Sequence, residues 1–104
     1  KYVFMIEGHV GQSLSFASML GASNDEFFST GDEGIKLSNG TAEKDITHFF
    51  GIYDAGTEVN EYPGAGLHQG GAEGTDEMGN VRMLDDEFNW PEASQVIKVT
   101  IRKN

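Results

Sequence analysis

The sequence predicts an all-β fold, an antiparallel β-sandwich with long acidic and glycine-rich loops at one end. Three observations carry this: apolar residues recur with a period of two, no segment sustains apolar spacing of three and four, and turn-forming residues break up the alternating runs. The clearest run is Gln95-Val96-Ile97-Lys98-Val99-Thr100-Ile101-Arg102, where Ile97, Val99 and Ile101 share one face and Lys98, Thr100 and Arg102 the other. That is the signature of a half-buried strand. Nearer the start, Tyr2, Phe4 and Ile6 alternate with Val3, Met5 and Glu7, and after the break Gly8-His9-Val10-Gly11 a second run sets Leu14, Phe16 and Leu20 on one face. The two runs are expected to pair antiparallel. Ile35 and Leu37 form a short strand that ends in the turn Ser38-Asn39-Gly40. Residues 46–53 are a third apolar run, read as a strand from about Thr47, with a turn of helix as the alternative for 42–50. Residues 62–80 carry six glycines, so this loop is either mobile or wrapped close to something.

A chain of 104 residues can bury one core and is too short for two, so residues 1–104 are read as a single domain. Hydrophobic residues make up 38% and aromatics 11%, which supplies a lean, aromatic-rich core despite a net charge of −10. Seventeen acids against seven bases repel nucleic acid and anionic membranes, and make a cation the natural partner. The imbalance is local: from Asp54 to Glu87 nine acids face the one base Arg82. Such a segment takes up either water, as a solvated loop, or a metal ion. No stretch approaches the ~20 apolar residues of a membrane helix. Without cysteine there is no disulfide framework, thiolate site or thiol nucleophile. The opening residues read as a strand rather than a signal peptide, and a chain that starts inside a strand without Met reads as a processed or trimmed product from which any export signal has already been removed.

Catalytic patterns are missing. There is no Gly-x-Ser-x-Gly elbow, and His9, His48 and His68 lack the spacing of a zinc site. Asn39-Gly40-Thr41 matches the N-glycosylation pattern, although an Asn-Gly turn accounts for its first two residues. The informative pieces are two acidic turns that follow strands, Ser23-Asn24-Asp25 after Leu20 and Asp54-Ala55-Gly56-Thr57-Glu58 after Tyr53. Calcium takes six to eight oxygens at roughly 2.3–2.6 Å from carboxylates, carbonyls and water. Asp25, Asp54 and Glu58 can supply several, and Gly56 allows the tight turn that offers a carbonyl.

The runs Leu14-Ser15-Phe16-Ala17-Ser18-Met19-Leu20, Ser23-Asn24-Asp25-Glu26-Phe27-Phe28 and Tyr53-Asp54-Ala55-Gly56-Thr57-Glu58-Val59-Asn60-Glu61 resemble bacterial members of the spondin N-terminal domain family. The likeness covers nearly the whole chain and is most specific in Asp-Ala-Gly-Thr-Glu. It departs at Glu26, where the family often has an aromatic or small residue, and in length, since family domains usually include further N-terminal strands. The resemblance implies an eight-stranded-type sandwich, an extracellular or cell-surface setting and a Ca2+ site at one end. Asp25 and Asp54 match the family's metal-binding aspartates, Glu58 the acidic position four residues beyond the second, and Glu7 an upstream glutamate. No catalytic residues are implied. The expected role is a secreted, non-enzymatic adhesion or surface-binding module that meets an extracellular protein or glycan. The alternative is a subunit that self-assembles into an extracellular filament or layer, because a sandwich lacking strands exposes an edge that another copy can complete.

Overall fold

The computed structural model describes residues 1–39, 43–70, 72–85, 88 and 90–104. Among them the chain is mostly short antiparallel strands with little helix. In order these are β1 (Ser13–Leu14), β2 (Ala17–Met19), β3 (Glu26–Ser29), β4 (Ile35–Lys36), β5 (Lys44–Asp45), a 3-10 turn (Thr47–Phe49), β6 (Gly51–Asp54), β7 (Arg82–Met83), α1 (Ala93–Val96) and β8 (Thr100–Ile101). A four-stranded sheet runs β2-β3-β6-β7, and β1 with β4 and β5 with β8 form two-stranded pairs. Among the described residues no helix is long and apolar enough to cross a membrane.

The central pair β3–β6 sets the architecture. Phe28 lies opposite Ile52 and Glu26 opposite Asp54, and all four are buried, so one pleat face points inward along both strands. On the other face Phe27 stacks on Tyr53 at 5.7 Å between ring centroids. The core gathers Leu20, Phe28, Ile35, Ile46, Phe50, Ile52 and Ala93, with Leu84, Trp90, Ile97, Val99 and Ile101 packed against it. Between β3 and β4 the chain makes a tight excursion. Gly34 sits at φ 65°, and a Cβ there would fall 2.7 Å from the Leu14 carbonyl oxygen, so only glycine fits.

Two expectations need correction. Residues 1–9 form no strand and are exposed throughout. Their apolar residues sit on both alternating faces, so no one face selects the core. The second run, expected to pair with the first, is divided into β1 and β2 and pairs instead with β4 and β3. Residues 95–102 are not one strand either. The Glu92 side chain and the Gln95 side chain cap each other's main chain reciprocally and turn 93–96 into a helical turn, leaving 100–101 as the paired strand. The inward face Ile97, Val99 and Ile101 nevertheless packs against the core as its alternation implies. In the apolar run at 46–53 the helical alternative holds for the first part, a 3-10 turn at Thr47–Phe49, and the strand follows as β6. Gly40 and Thr41, part of the Asn39 turn and glycosylation pattern, lie outside the described residues, as does Gly71 of the glycine-rich loop.

Candidate metal centre

Three segments converge where β3 begins and β6 ends. Asp25 immediately precedes β3, and Asp54 closes β6, opposite Glu26. The chain after Asp54 then folds against the end of the glycine-rich stretch: Val59 N donates to Thr75 O at 2.8 Å, Glu77 N to Thr57 O at 2.8 Å and Gly79 N to Gly56 O at 2.8 Å. Gly56 has φ 70°, and a Cβ on it would meet the Gly79 carbonyl carbon at 2.8 Å, so this close crossing requires glycine. The first half of the glycine-rich stretch covers the Ser23 turn, with Gly64 N donating to Ala22 O at 2.8 Å and Gly70 N to Ser23 O at 3.1 Å. The loop is thus wrapped on the acidic turns.

Asp25 is 5% exposed and organises this junction. Its Oδ2 accepts from Thr57 N at 2.7 Å, Thr57 Oγ1 at 2.8 Å and Glu58 N at 2.9 Å, which holds the Asp-Ala-Gly-Thr-Glu turn against the Ser23 turn. Asn24 adds Nδ2 to Val59 O at 2.7 Å. Asp54, fully buried, accepts from Gly56 N at 2.5 Å on Oδ1 and is paired on Oδ2 with Arg82, at 2.7 Å from Nη2 and 2.9 Å from Nε. Asn60 Nδ2 also reaches Oδ2 at 3.3 Å. Arg82 stands opposite Asp54 in the β6–β7 register, and its guanidinium is held above the usual arginine range by the Asp54 hydrogen bond and charge. Nearby, Glu61 Oε2 accepts from His68 N at 3.0 Å while Oε1 lies 2.6 Å from His68 Nδ1, so the main-chain bond first and the ring second pull the Glu61 carboxyl below the ordinary glutamate range.

Glu26 is the anomaly. It occupies a core position, is 0% exposed, and neither carboxylate oxygen has a hydrogen-bond partner. Burial pushes its carboxyl above the ordinary glutamate range, and the charge of Asp25 adds to this. Ser23 and the main-chain N–H groups of Glu26 and Asp25 lie close enough to offset part of the shift without making a well-formed hydrogen bond, the Ser23 hydroxyl donating to the carbonyls of Leu20 (2.5 Å) and Glu26 (3.3 Å). Asn24 Oδ1, Asp25 Oδ1 and Glu58 Oε2 are likewise buried without a partner. Buried polar atoms are paired in the great majority of cases, so a group of orphans calls for a specific explanation.

Of the four expected ligands, the structure links Asp25 and Glu58 directly and sets Asp54 beside them with its oxygens engaged by Arg82, Gly56 and Asn60. Glu7 is exposed in segment 1–9, and its neighbour Gly8 packs near Leu37 rather than the Asp25 turn. Among the described residues no three Asp, Glu, His or Cys side chains converge closely enough to hold an ion as they stand. In donor type the orphaned atoms suit a hard cation: all are oxygens, from carboxylates and an amide. Sequence reasoning missed Asn24 and Arg82 and passed over Glu26 as a departure from a pattern. For Arg82 the signal was present, since it is the one base in the acidic half; for Glu26 it was not, because its inward position follows only from β3. Searches against family models, curated proteins and solved structures return no match to this chain.

Proposed function

We propose that this chain is a secreted, calcium-stabilised binding module without catalytic activity, a spondin-type β-sandwich whose acidic and glycine-rich loops meet an extracellular protein or glycan at a cell surface. The single observation that carries the reading is the group of buried, unpartnered oxygens on Asn24, Asp25, Glu26 and Glu58. A divalent cation would satisfy them together, and calcium fits better than the alternatives: it tolerates irregular oxygen sets, whereas magnesium demands a near-ideal octahedron and zinc prefers nitrogen and sulfur. Asp25 Oδ1, Glu58 Oε2 and Glu26 would hold the ion, with Asn24 Oδ1 and main-chain carbonyls completing the set. Asp54 serves this arrangement from behind, fixing Gly56 and Arg82 rather than binding metal.

Because the side chains do not converge without the ion, binding and loop order are coupled in this reading. The turns are already pinned by Asp25, but their remaining carboxylate oxygens repel one another in the metal-free protein and draw together when calcium is present. Ordered loops then form the face that a partner recognises, which makes adhesion calcium-dependent. Thermal melting with calcium and with chelator tests the proposal. Calcium is expected to raise the melting temperature and Asp25→Asn to abolish the rise; superimposable wild-type curves in the two conditions would refute it.

A further inference from the structure

A different part of the molecule presents a strand-forming segment that pairs with no element and an open sheet edge on the same chain. Residues 2–6, Tyr-Val-Phe-Met-Ile, combine strand-forming side chains with no charge, proline or glycine. All are exposed, from 57% at Ile6 to 89% at Tyr2, and none belongs to the core. The segment's recorded ring contact is Phe4 against Phe16, at 6.5 Å between centroids.

Phe16 lies between β1 and β2, which read as one bent strand. Leu37 N donates to Gln12 O at 2.8 Å, Thr30 N to Phe16 O at 3.3 Å and Leu20 N to Glu26 O at 2.9 Å, so the even-numbered residues from 12 to 20 direct their main-chain groups toward β3 and β4. By the alternation of an antiparallel ladder, Ala17 and Met19 direct theirs to the opposite edge, where no strand pairs among the described residues. Edge strands of monomeric proteins are guarded by charges, proline or bulges. Here residues 8–24 contain no Asp, Glu, Lys, Arg or Pro, the longest such run in a chain of net charge −10. Donor segment and acceptor edge are thus both free of the charge that keeps the rest of two such molecules apart.

We infer that a second copy of this chain occupies the edge: residues 2–6 of each copy add as a strand to the open β1–β2 edge of the other, in a two-fold, reciprocal exchange. The turn at 9–12 is the hinge, closed by Gln12 N to His9 O at 3.1 Å and His9 N to Gln12 Oε1 at 2.6 Å, with Gly11 at φ 91°. Because the contact is self-complementary, it closes on itself as a dimer.

The test is light scattering coupled to size-exclusion chromatography of the 104-residue chain from about 10 µM to about 1 mM, with chelator present so that calcium plays no part. A dimer is expected to accumulate with concentration. Ala17→Pro removes an N–H from the open edge alone and leaves the β3 ladder intact, while Phe4→Asp places a charge on the donor segment. Each is expected to raise the dimer dissociation constant at least about tenfold, with unchanged melting in dilute solution. Should Ala17→Pro fail to fold, Phe4→Asp carries the test alone. A chain that stays monomeric through the whole range, a dimer that survives Phe4→Asp unweakened, or growth into open filaments overturns the inference.

Discussion

Replacing Glu26 by glutamine preserves the shape of the side chain and removes its charge, which separates two roles that any larger change would confuse. In the metal-free protein both Glu26 oxygens are buried and unpartnered beside Asp25 and opposite Asp54. A buried polar group left unsatisfied costs about 1–3 kcal/mol, and more when it is ionised. Glutamine keeps an unpartnered amide but no charge, so Glu26→Gln is expected to stabilise the chelated protein by about 1–2 kcal/mol, which for a domain near this size raises the melting temperature by roughly 5–15 °C. In calcium the variant loses part or all of that lead. The wild type gains about 2.7 kcal/mol at 100 times its dissociation constant, and the variant, short of one charged ligand, gains less than about half of that. Circular-dichroism melts of both proteins in chelator and in calcium give all four values. A variant that melts below wild type in chelator would show that Glu26 makes a stabilising contact; equal calcium shifts in both proteins would remove Glu26 from the site.

Arg82→Ala leaves Asp54 buried with Gly56 and Asn60 as its remaining partners, and because the arginine itself is half exposed the expected loss is about 1–3 kcal/mol by denaturant titration, below the cost of breaking a wholly buried pair. Its calcium response is expected to persist, since Asp54 is not assigned to the ion. The metal-free protein is expected to show a stability maximum on the acidic side. Glu26 binds its proton more tightly folded than unfolded, so stability is fully present below its ordinary value of 4.5 and is lost as pH rises through the raised folded value. Glu61 and Asp45 behave oppositely: their folded values are lowered, Asp45 mainly by the Thr47 side-chain and main-chain hydrogen bonds, so their contributions stand above 4.5 and 3.8 and fade as pH falls through the folded values. Melting temperature against pH in chelator checks this, and Glu26→Gln is expected to flatten the rise on mild acidification.

How much of this was legible in the sequence depended on whether the period of two survived. Ile97, Val99 and Ile101 were readable because polar residues separate them, and they do face the core. β3 was not, because a carboxylate occupies the inward position beside Phe28 and breaks the pattern that marks a strand. The N-terminal alternation misled for the opposite reason: with Tyr2, Phe4 and Ile6 on one face and Val3 and Met5 on the other, it promises a strand without saying what the strand packs against. The helical turn at 93–96 was hidden by a local device, the Glu92–Gln95 capping pair, that apolar periodicity does not report. At the candidate centre, the two acidic turns were visible as strand-end carboxylates. Their division of labour was not, because only the folded register sets Arg82 against Asp54 and leaves Glu26 alone.

Long-wavelength anomalous scattering from crystals grown in calcium addresses the metal centre most directly. A peak bound by Asp25 Oδ1, Glu58 Oε2 and Glu26, with oxygens at about 2.3–2.6 Å, is the expected result. Those side chains well ordered at saturating calcium with no peak between them, or a peak held by other residues, would contradict it.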